Sequence, residues 1–176
     1  MRLTADDLAG LGVALNEARW LGAELDEDRR LATITLATLS LPPEGPPPVD
    51  PRVQVLISPV GRVVVVYTSH TGEVLPLELR DLRAVVESFG GQPVYAWEFI
   101  DVPLTIPVLH LFQNGGPKGC LDLWLWFDEL VFRSPTGESI SLGDIIAGGR
   151  RWWDALYSGD PRVSGAGILP LKGNAG

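Results

Sequence analysis

The segment from Cys120 to Arg133, CLDLWLWFDELVFR, constrains the fold of this chain more than any other stretch. Leucines and a phenylalanine alternate there with aspartates and tryptophans, and a period of two predicts a β-strand whose two faces differ. Clusters rich in glycine and proline flank it at 113–119 and 134–137. Because such short turns cannot hold a parallel crossover, we expect the neighbouring strands to run antiparallel to it.

Short strands and short turns alternate along most of the chain. Alternation and β-branched residues predict a hairpin over 19–40, two strands over 53–58 and 62–69 around Pro59-Val60-Gly61, and further strands over 94–102 and 105–112. The valine run from Val63 to Val66 predicts a central strand that is buried on both faces. Pro107 predicts an edge position for its own strand, because proline cannot donate a hydrogen bond to a sheet.

Three other segments have the apolar spacing of amphipathic helices, at 4–18, 77–88 and 142–157. Thr4 with Asp7, and Ser141 with Asp144, form side-chain pairs that can cap the first and the third helix. Together these patterns predict the α+β class. The sheet is expected to be mostly antiparallel with about six to eight strands, and the N-terminal, middle and C-terminal helices are expected to pack on it.

The third helix carries two adjacent tryptophans after two arginines. Its predicted apolar stripe consists of Ile145, Ile146, Gly149, Trp153 and Leu156. Gly148 and Gly149 are expected to weaken this helix by roughly 1 kcal/mol each, and they can divide it. Since only one of two adjacent side chains can point fully inward, Trp152 is a candidate exposed anchor for a partner. The alternative is that Trp152 covers the end of the sheet.

The length of 176 residues suits one domain. Six prolines crowd residues 42–51, and because proline cannot join a sheet ladder, this segment is interpreted as a connector over the surface. Glycines are frequent near the C-terminus, where few residues can pack. The prediction is a single α+β domain at 1–160 and a Gly-rich flexible tail at 161–176.

The charge balance narrows the classes of partner. The chain has 22 acidic and 14 basic residues, a net charge of −8, which disfavours nucleic acid because phosphate binding needs lysine and arginine. The same charge would steer a basic protein towards this chain. No apolar run is long enough for a membrane span, and Asp6 and Asp7 interrupt any secretory leader. We therefore expect a cytoplasmic protein with no membrane partner, and the residue bias resembles that of GC-rich bacterial genomes.

The familiar catalytic and cofactor motifs do not occur in the sequence. It contains no GxGxxG, Walker, HExxH, CxxC or GxSxG pattern, and its one cysteine excludes an internal disulfide framework. The acidic run Asp26-Glu27-Asp28 does not fit a calcium loop, because Leu31 and Ala37 stand where that loop needs glycine and glutamate. We expect neither a cofactor nor a bound metal.

One face of the strand over 120–133 is the strongest candidate for binding. Alternation places Asp122, Trp124, Trp126 and Asp128 together on it. Aromatic rings beside carboxylates can bind a sugar or a cation, by stacking, hydrogen bonding or cation–π attraction. The alternative is that both tryptophans pack beneath a helix, and burial of both would exclude a ligand face.

A catalytic interpretation depends on the pairing of two predicted strands. A hairpin closed by 113–119 would bring His110 near Asp122 or Leu123 and close to Cys120, and a cysteine nucleophile needs both a base and a group that orients the base. A shift of one residue would move His110 to the other face. The alternatives are that His110 is a half-buried structural residue and that Cys120 is a small apolar filler.

These observations lead to one functional hypothesis and one alternative. The hypothesis is a non-catalytic binding or interaction module with an acidic, aromatic surface for a basic protein partner or a small polar ligand. The alternative is a small enzyme, which is either a cysteine hydrolase that uses Cys120 and His110 or a carboxylate-based enzyme that acts on a sugar. The sequence does not indicate an oligomeric state.

Overall fold

The computed structural model describes residues 3–100 and 108–164. The strands are β1 (Arg19–Asp26), β2 (Leu31–Ala37), β3 (Arg52–Thr68), β4 (Val74–Leu75), β5 (Val94–Ile100), β6 (Val108–Asn114), β7 (Cys120–Arg133) and β8 (Ser139–Ile140). The helices are α1 (Ala5–Ala14), α2 (Leu82–Ser88) and α3 (Leu142–Ser158), and short 3-10 turns lie at Leu79–Asp81, Gly116–Lys118 and Pro161–Val163. The predicted tail lies mostly outside the described residues.

The strands form one curled antiparallel sheet in the order β1-β2-β3-β7-β6-β5, with β4 beside β3 and β8 beside β7. Residues of α1 and α2 and Ile145 of α3 share one apolar core with the inner face of this sheet. The predicted α+β class, with its antiparallel sheet and three helices, is therefore confirmed. The predicted hairpin over 19–40 is β1 and β2, and the predicted strand over 120–133 is β7.

The two strands predicted around Pro59-Val60-Gly61 are one continuous strand, so the predicted break is wrong. β3 pairs with β7 on both sides of this point, and a register shift between Val60 and Arg62 takes up one extra residue. A β-bulge bends a strand while the ladder continues beyond it. Proline and glycine mark the bulge here, and they do not mark a turn.

Two predictions about strand position also need correction. β6 pairs with both β5 and β7, so it is an interior strand and not an edge. It begins at Val108, and its ladder therefore needs no hydrogen bond from Pro107, which lies outside the described residues. The run from Val63 to Val66 is only half-buried, because β3 is central but its alternate residues reach the less covered face of the sheet.

The helices begin where their caps were predicted. The Thr4 hydroxyl accepts a hydrogen bond from the Asp7 amide at 3.1 Å, and the Thr4 amide donates to the Asp7 carboxylate at 2.8 Å. This second bond lowers the pKa of Asp7, because it favours the charged carboxylate. Ser141 caps α3, whereas the predicted helix over 77–88 is a 3-10 turn followed by the shorter α2.

The glycine pair of α3 does not divide the helix, which is continuous from Leu142 to Ser158. A Cβ atom on Gly149 would overlap the Cα atom of Ala14, and one on Gly148 would overlap the Ser40 hydroxyl. The two glycines lower the helix propensity of α3, but they allow α3 to lie close to α1 and to the chain after β2.

Candidate functional site

The alternation of β7 separates an inner from an outer face, as the sequence predicted. Leu121, Leu123, Leu125 and Phe127 are at most 1% exposed and belong to the core. Asp122, Trp124 and Trp126 point the other way and are half-buried, and Asp128 is exposed. The tryptophans are thus not buried in the core, and we call the side of the sheet that carries them the outer face.

Strand register brings residues of three further strands to the outer face. On β6, His110 lies opposite Trp124. On β5, Glu98 lies opposite His110, and on β3, Val64 lies opposite Trp124. One row of side chains therefore crosses four strands, with a carboxylate at one end and Trp124 in its middle.

His110 has neighbours on three sides. Its ring stacks on the Trp124 indole, with centroids 4.0 Å apart and planes inclined by 18°. Its Nε2 lies 2.8 Å from an Asp122 carboxylate oxygen, and its Nδ1 lies 3.7 Å from a Glu98 carboxylate oxygen. Because an ionised carboxylate only accepts, the Nε2 atom carries the proton of the shorter contact. Nδ1 is buried and has no hydrogen-bond partner among the described residues.

Exposure falls from the edge of this cluster towards its centre. The Glu98 side chain is 64% exposed, the Asp122 side chain 30% and the His110 side chain 13%. The hydrogen bond to His110 holds the Asp122 carboxylate in place, and both carboxylates are exposed enough to accept further hydrogen bonds. The cluster can therefore receive a cationic or hydrogen-bond-donating group from outside.

Trp126 forms a second aromatic position on the outer face, one step along the same side of β7. The Arg62 guanidinium lies 5.0 Å above its ring, within the range of a cation–π interaction. Asp128 lies near the hollow beside this pair. Arg62 and Glu98 were not among the residues that the sequence singled out. The alternation of β5 and the pairing of β3 with β7 could have indicated them only once the register was known.

The proposed catalytic residues do not all come together. His110 and Asp122 form the predicted contact, but Cys120 lies opposite Asn114. The Cα atoms of Cys120 and Trp124, which faces His110, are separated by four strand residues, about 13 Å. The register therefore leaves Cys120 away from the histidine that would have to activate it.

The predicted exposure of Trp152 is wrong. Trp152 is 3% exposed and packs with Leu41 and Val163 in a second apolar cluster, whereas Trp153 is half-buried and its indole N–H donates to the Val13 carbonyl at 3.0 Å. A helical stripe through Ile145 can include either Trp152 or Trp153. The chain after β2 covers the side of α3 that carries Trp152, and this packing decides which indole is enclosed.

The described part of the chain contains no group of three or more histidine, cysteine, aspartate or glutamate residues that could hold a metal ion. Among its helices, none is long and apolar enough to cross a membrane. The structure thus defines an α+β protein whose outer face combines two half-buried tryptophans with carboxylates. Comparison with family models, with curated proteins and with solved structures finds no match for this chain.

Proposed function

We propose that this protein is a non-catalytic binding module whose outer face binds a basic segment of a partner protein. The observation that carries this proposal is the placement of Trp124 on the outer face beside the Asp122 carboxylate, with Trp126 further along the same face. Lysine and arginine side chains need both features, an aromatic surface for the cation and an acceptor for its N–H groups.

The geometry at Asp122 supports a cationic guest. Its hydrogen bond to His110 fixes the carboxylate beside the indole of Trp124, so a bound cation need not order the carboxylate first. His110 covers one side of that indole, and a partner would therefore use the remaining exposed part of the ring.

The molecule itself contains the interaction that the proposal requires. The Arg62 guanidinium already lies over the Trp126 ring on this face. A cation–π contact of this kind contributes about 0.5–2 kcal/mol, depending on how far water is excluded. The net charge of −8 adds a long-range attraction for basic proteins, which increases the rate of encounter.

The test uses a blocked peptide of alternating arginine and glycine as the probe. The ¹⁵N-labelled protein is titrated at low salt, and the indole N–H signals of Trp124 and Trp126 are followed while those of Trp152 and Trp153 serve as internal references. We expect saturable shifts of the first two signals only. A matched peptide with glutamate in place of arginine should cause none.

The control variants separate a local contact from the effect of net charge. Asp122→Asn should weaken binding of the arginine peptide by about tenfold, as expected for the loss of one charge-assisted hydrogen bond. Glu138→Gln makes the same charge change in the exposed turn before β8 and should have little effect. Equal effects of both variants, or equal shifts with the glutamate peptide, would overturn the proposal.

A further inference from the structure

A second feature of the surface, of opposite charge, lies at the bulge of β3. A hollow of about 360 Å³ there is lined by residues that include Arg30, Gly61, Arg62 and Trp126. A neighbouring hollow of about 250 Å³ shares Arg30, Gly61 and Arg62. We call the meeting point of these two hollows the arginine notch.

Arg30 is held rigidly at the notch by the backbone of β3. It lies in the turn between β1 and β2 with a φ of 52°, and its carbonyl accepts a hydrogen bond from the Val60 amide at 2.7 Å. Its Nε donates to the Val60 carbonyl at 2.9 Å. Among the described residues, no hydrogen bond uses its two terminal guanidinium nitrogens, and one of them lies 3.8 Å from where a Gly61 Cβ would be.

Arg62 is oriented by the opposite strand. It pairs with Trp126 across β3 and β7, and its guanidinium lies above the indole ring. A cation–π contact uses the charge of the guanidinium and not its N–H hydrogen bonds, so the N–H donors can still bind an anion. Both arginines therefore present fixed donors at one place.

Neither arginine is neutralised by a carboxylate of the described residues. Five other arginines are paired with acidic residues, at Arg29, Arg52, Arg80, Arg83 and Arg162. Asp128 also lines the larger hollow, but it makes no ion pair with Arg30 or Arg62 among the described contacts. Both arginines are exposed, so their guanidinium groups are solvated and accessible to an anion from outside.

We infer that the arginine notch is a binding site for an oxyanion, a carboxylate or phosphate group carried by a ligand with an apolar or aromatic portion. Guanidinium groups bind such anions through paired N–H donors, and donors held in place before binding lose little entropy. The indole edge of Trp126 offers a surface for the rest of the ligand. This site shares Trp126 with the face used in the proposed function, but it selects the opposite charge and does not involve Asp122.

Phenyl phosphate and benzoate are suitable probes, because each joins a ring to one oxyanion. Each is titrated into the ¹⁵N-labelled protein at low salt, with the Trp126 indole signal as the readout. We expect saturable shifts at Trp126. Tighter binding of phenyl phosphate would assign the notch to phosphate ligands, and tighter binding of benzoate would assign it to carboxylates.

Three glutamine variants provide the decisive comparison. Arg62→Gln and Arg30→Gln should each weaken binding by about tenfold, because each removes one charged donor group. Arg150→Gln makes the same charge change at an exposed position of α3 and should leave affinity unchanged. Because Arg30 also bonds to Val60, thermal unfolding is measured for each variant, and Arg62→Gln carries the test if Arg30→Gln is unstable.

The inference is overturned if neither probe saturates up to about 10 mM, which is weaker than a specific small-anion site should be. It is also overturned if the three variants bind equally. Asp122→Asn separates the two proposals, because it should weaken binding of the arginine peptide and leave binding of phenyl phosphate and benzoate unchanged.

Discussion

At the scale of single residues, His110 organises the outer face. It stacks on Trp124 and bonds to Asp122, so it fixes the positions of one ring and one carboxylate. Its buried Nδ1 atom has no hydrogen-bond partner among the described residues. A buried polar atom without a partner costs stability.

A substitution at Cys120 tests, also at the scale of a single residue, whether the protein depends on a thiol. It is half-buried opposite Asn114, and Cys120→Ser replaces it with a side chain of similar size. We expect the free energy of unfolding to change by no more than about 1 kcal/mol, since the variant removes little apolar contact. Binding of the arginine peptide should be unchanged.

Urea denaturation and the peptide titration measure both quantities. A large loss of binding without loss of stability would contradict the non-catalytic, thiol-independent function proposed above and would return attention to a cysteine enzyme.

At the scale of elements, the contact between α1 and α3 depends on small residues. Gly149 lies against Ala14, and Gly10 lies against Ile146, where a Cβ on Gly10 would be 2.9 Å from a side-chain carbon. Helix propensity alone predicts a weakened α3. The helix is nevertheless continuous, and its glycines allow it to pack closely against α1.

Gly149→Ala should therefore destabilise the protein although alanine favours helices. The added methyl group meets backbone atoms of α1 that cannot move aside, and overpacking of this kind costs about 1–3 kcal/mol. Gly143→Ala on the same helix is the matched control, because its nearest neighbour is the Ser141 hydroxyl at 3.8 Å. It should be neutral or stabilising by up to about 1 kcal/mol.

Urea unfolding of both variants decides the matter. Stabilisation by Gly149→Ala would show that the two helices are not in close contact in solution.

The two tryptophans of α3 should differ in their contribution to stability. Trp152→Ala removes an enclosed indole between Leu41 and Val163 and should cost about 3–5 kcal/mol. Trp153→Ala removes a half-buried ring and one hydrogen bond to Val13, and should cost less. Thermal and urea unfolding give the order, and the reverse order would restore the exposed position that the sequence predicted for Trp152.

At the scale of the whole molecule, the outer face carries both signs of charge. Glu98 and Asp122 lie towards one end, and Arg62 lies opposite Trp126 towards the other. Asp122 and Trp126 are separated by four strand residues, about 13 Å. A single extended ligand with a cationic and an anionic group could therefore contact both ends.

The net charge and the local contact should affect binding kinetics differently. Raising the salt concentration should slow association of the arginine peptide, because screening weakens long-range attraction between charges. Asp122→Asn and Glu138→Gln reduce the net negative charge equally, so both should slow association slightly. Only Asp122→Asn should also accelerate dissociation, because it removes a contact in the complex.

Stopped-flow measurements of both rates at several salt concentrations provide the check. Association that does not depend on salt would remove the electrostatic part of the proposed function.

The sequence by itself determined the class of fold and the composition of the outer face. The alternation in β7 separates leucine from tryptophan and aspartate whatever surrounds the strand, because successive side chains point to opposite faces. The cap pairs at Thr4 and Ser141 are likewise local, since they join residues three apart. Short turns made the sheet antiparallel for the same local reason.

Tertiary structure decided every relation between distant segments. Register placed His110 beside Asp122 and left Cys120 opposite Asn114, and a shift of one residue would have reversed the face. The bulge at Val60 joined two predicted strands, and packing against Leu41 enclosed Trp152 in place of Trp153. Local patterns specify the direction of each side chain along its own element, whereas its neighbours depend on how elements pack.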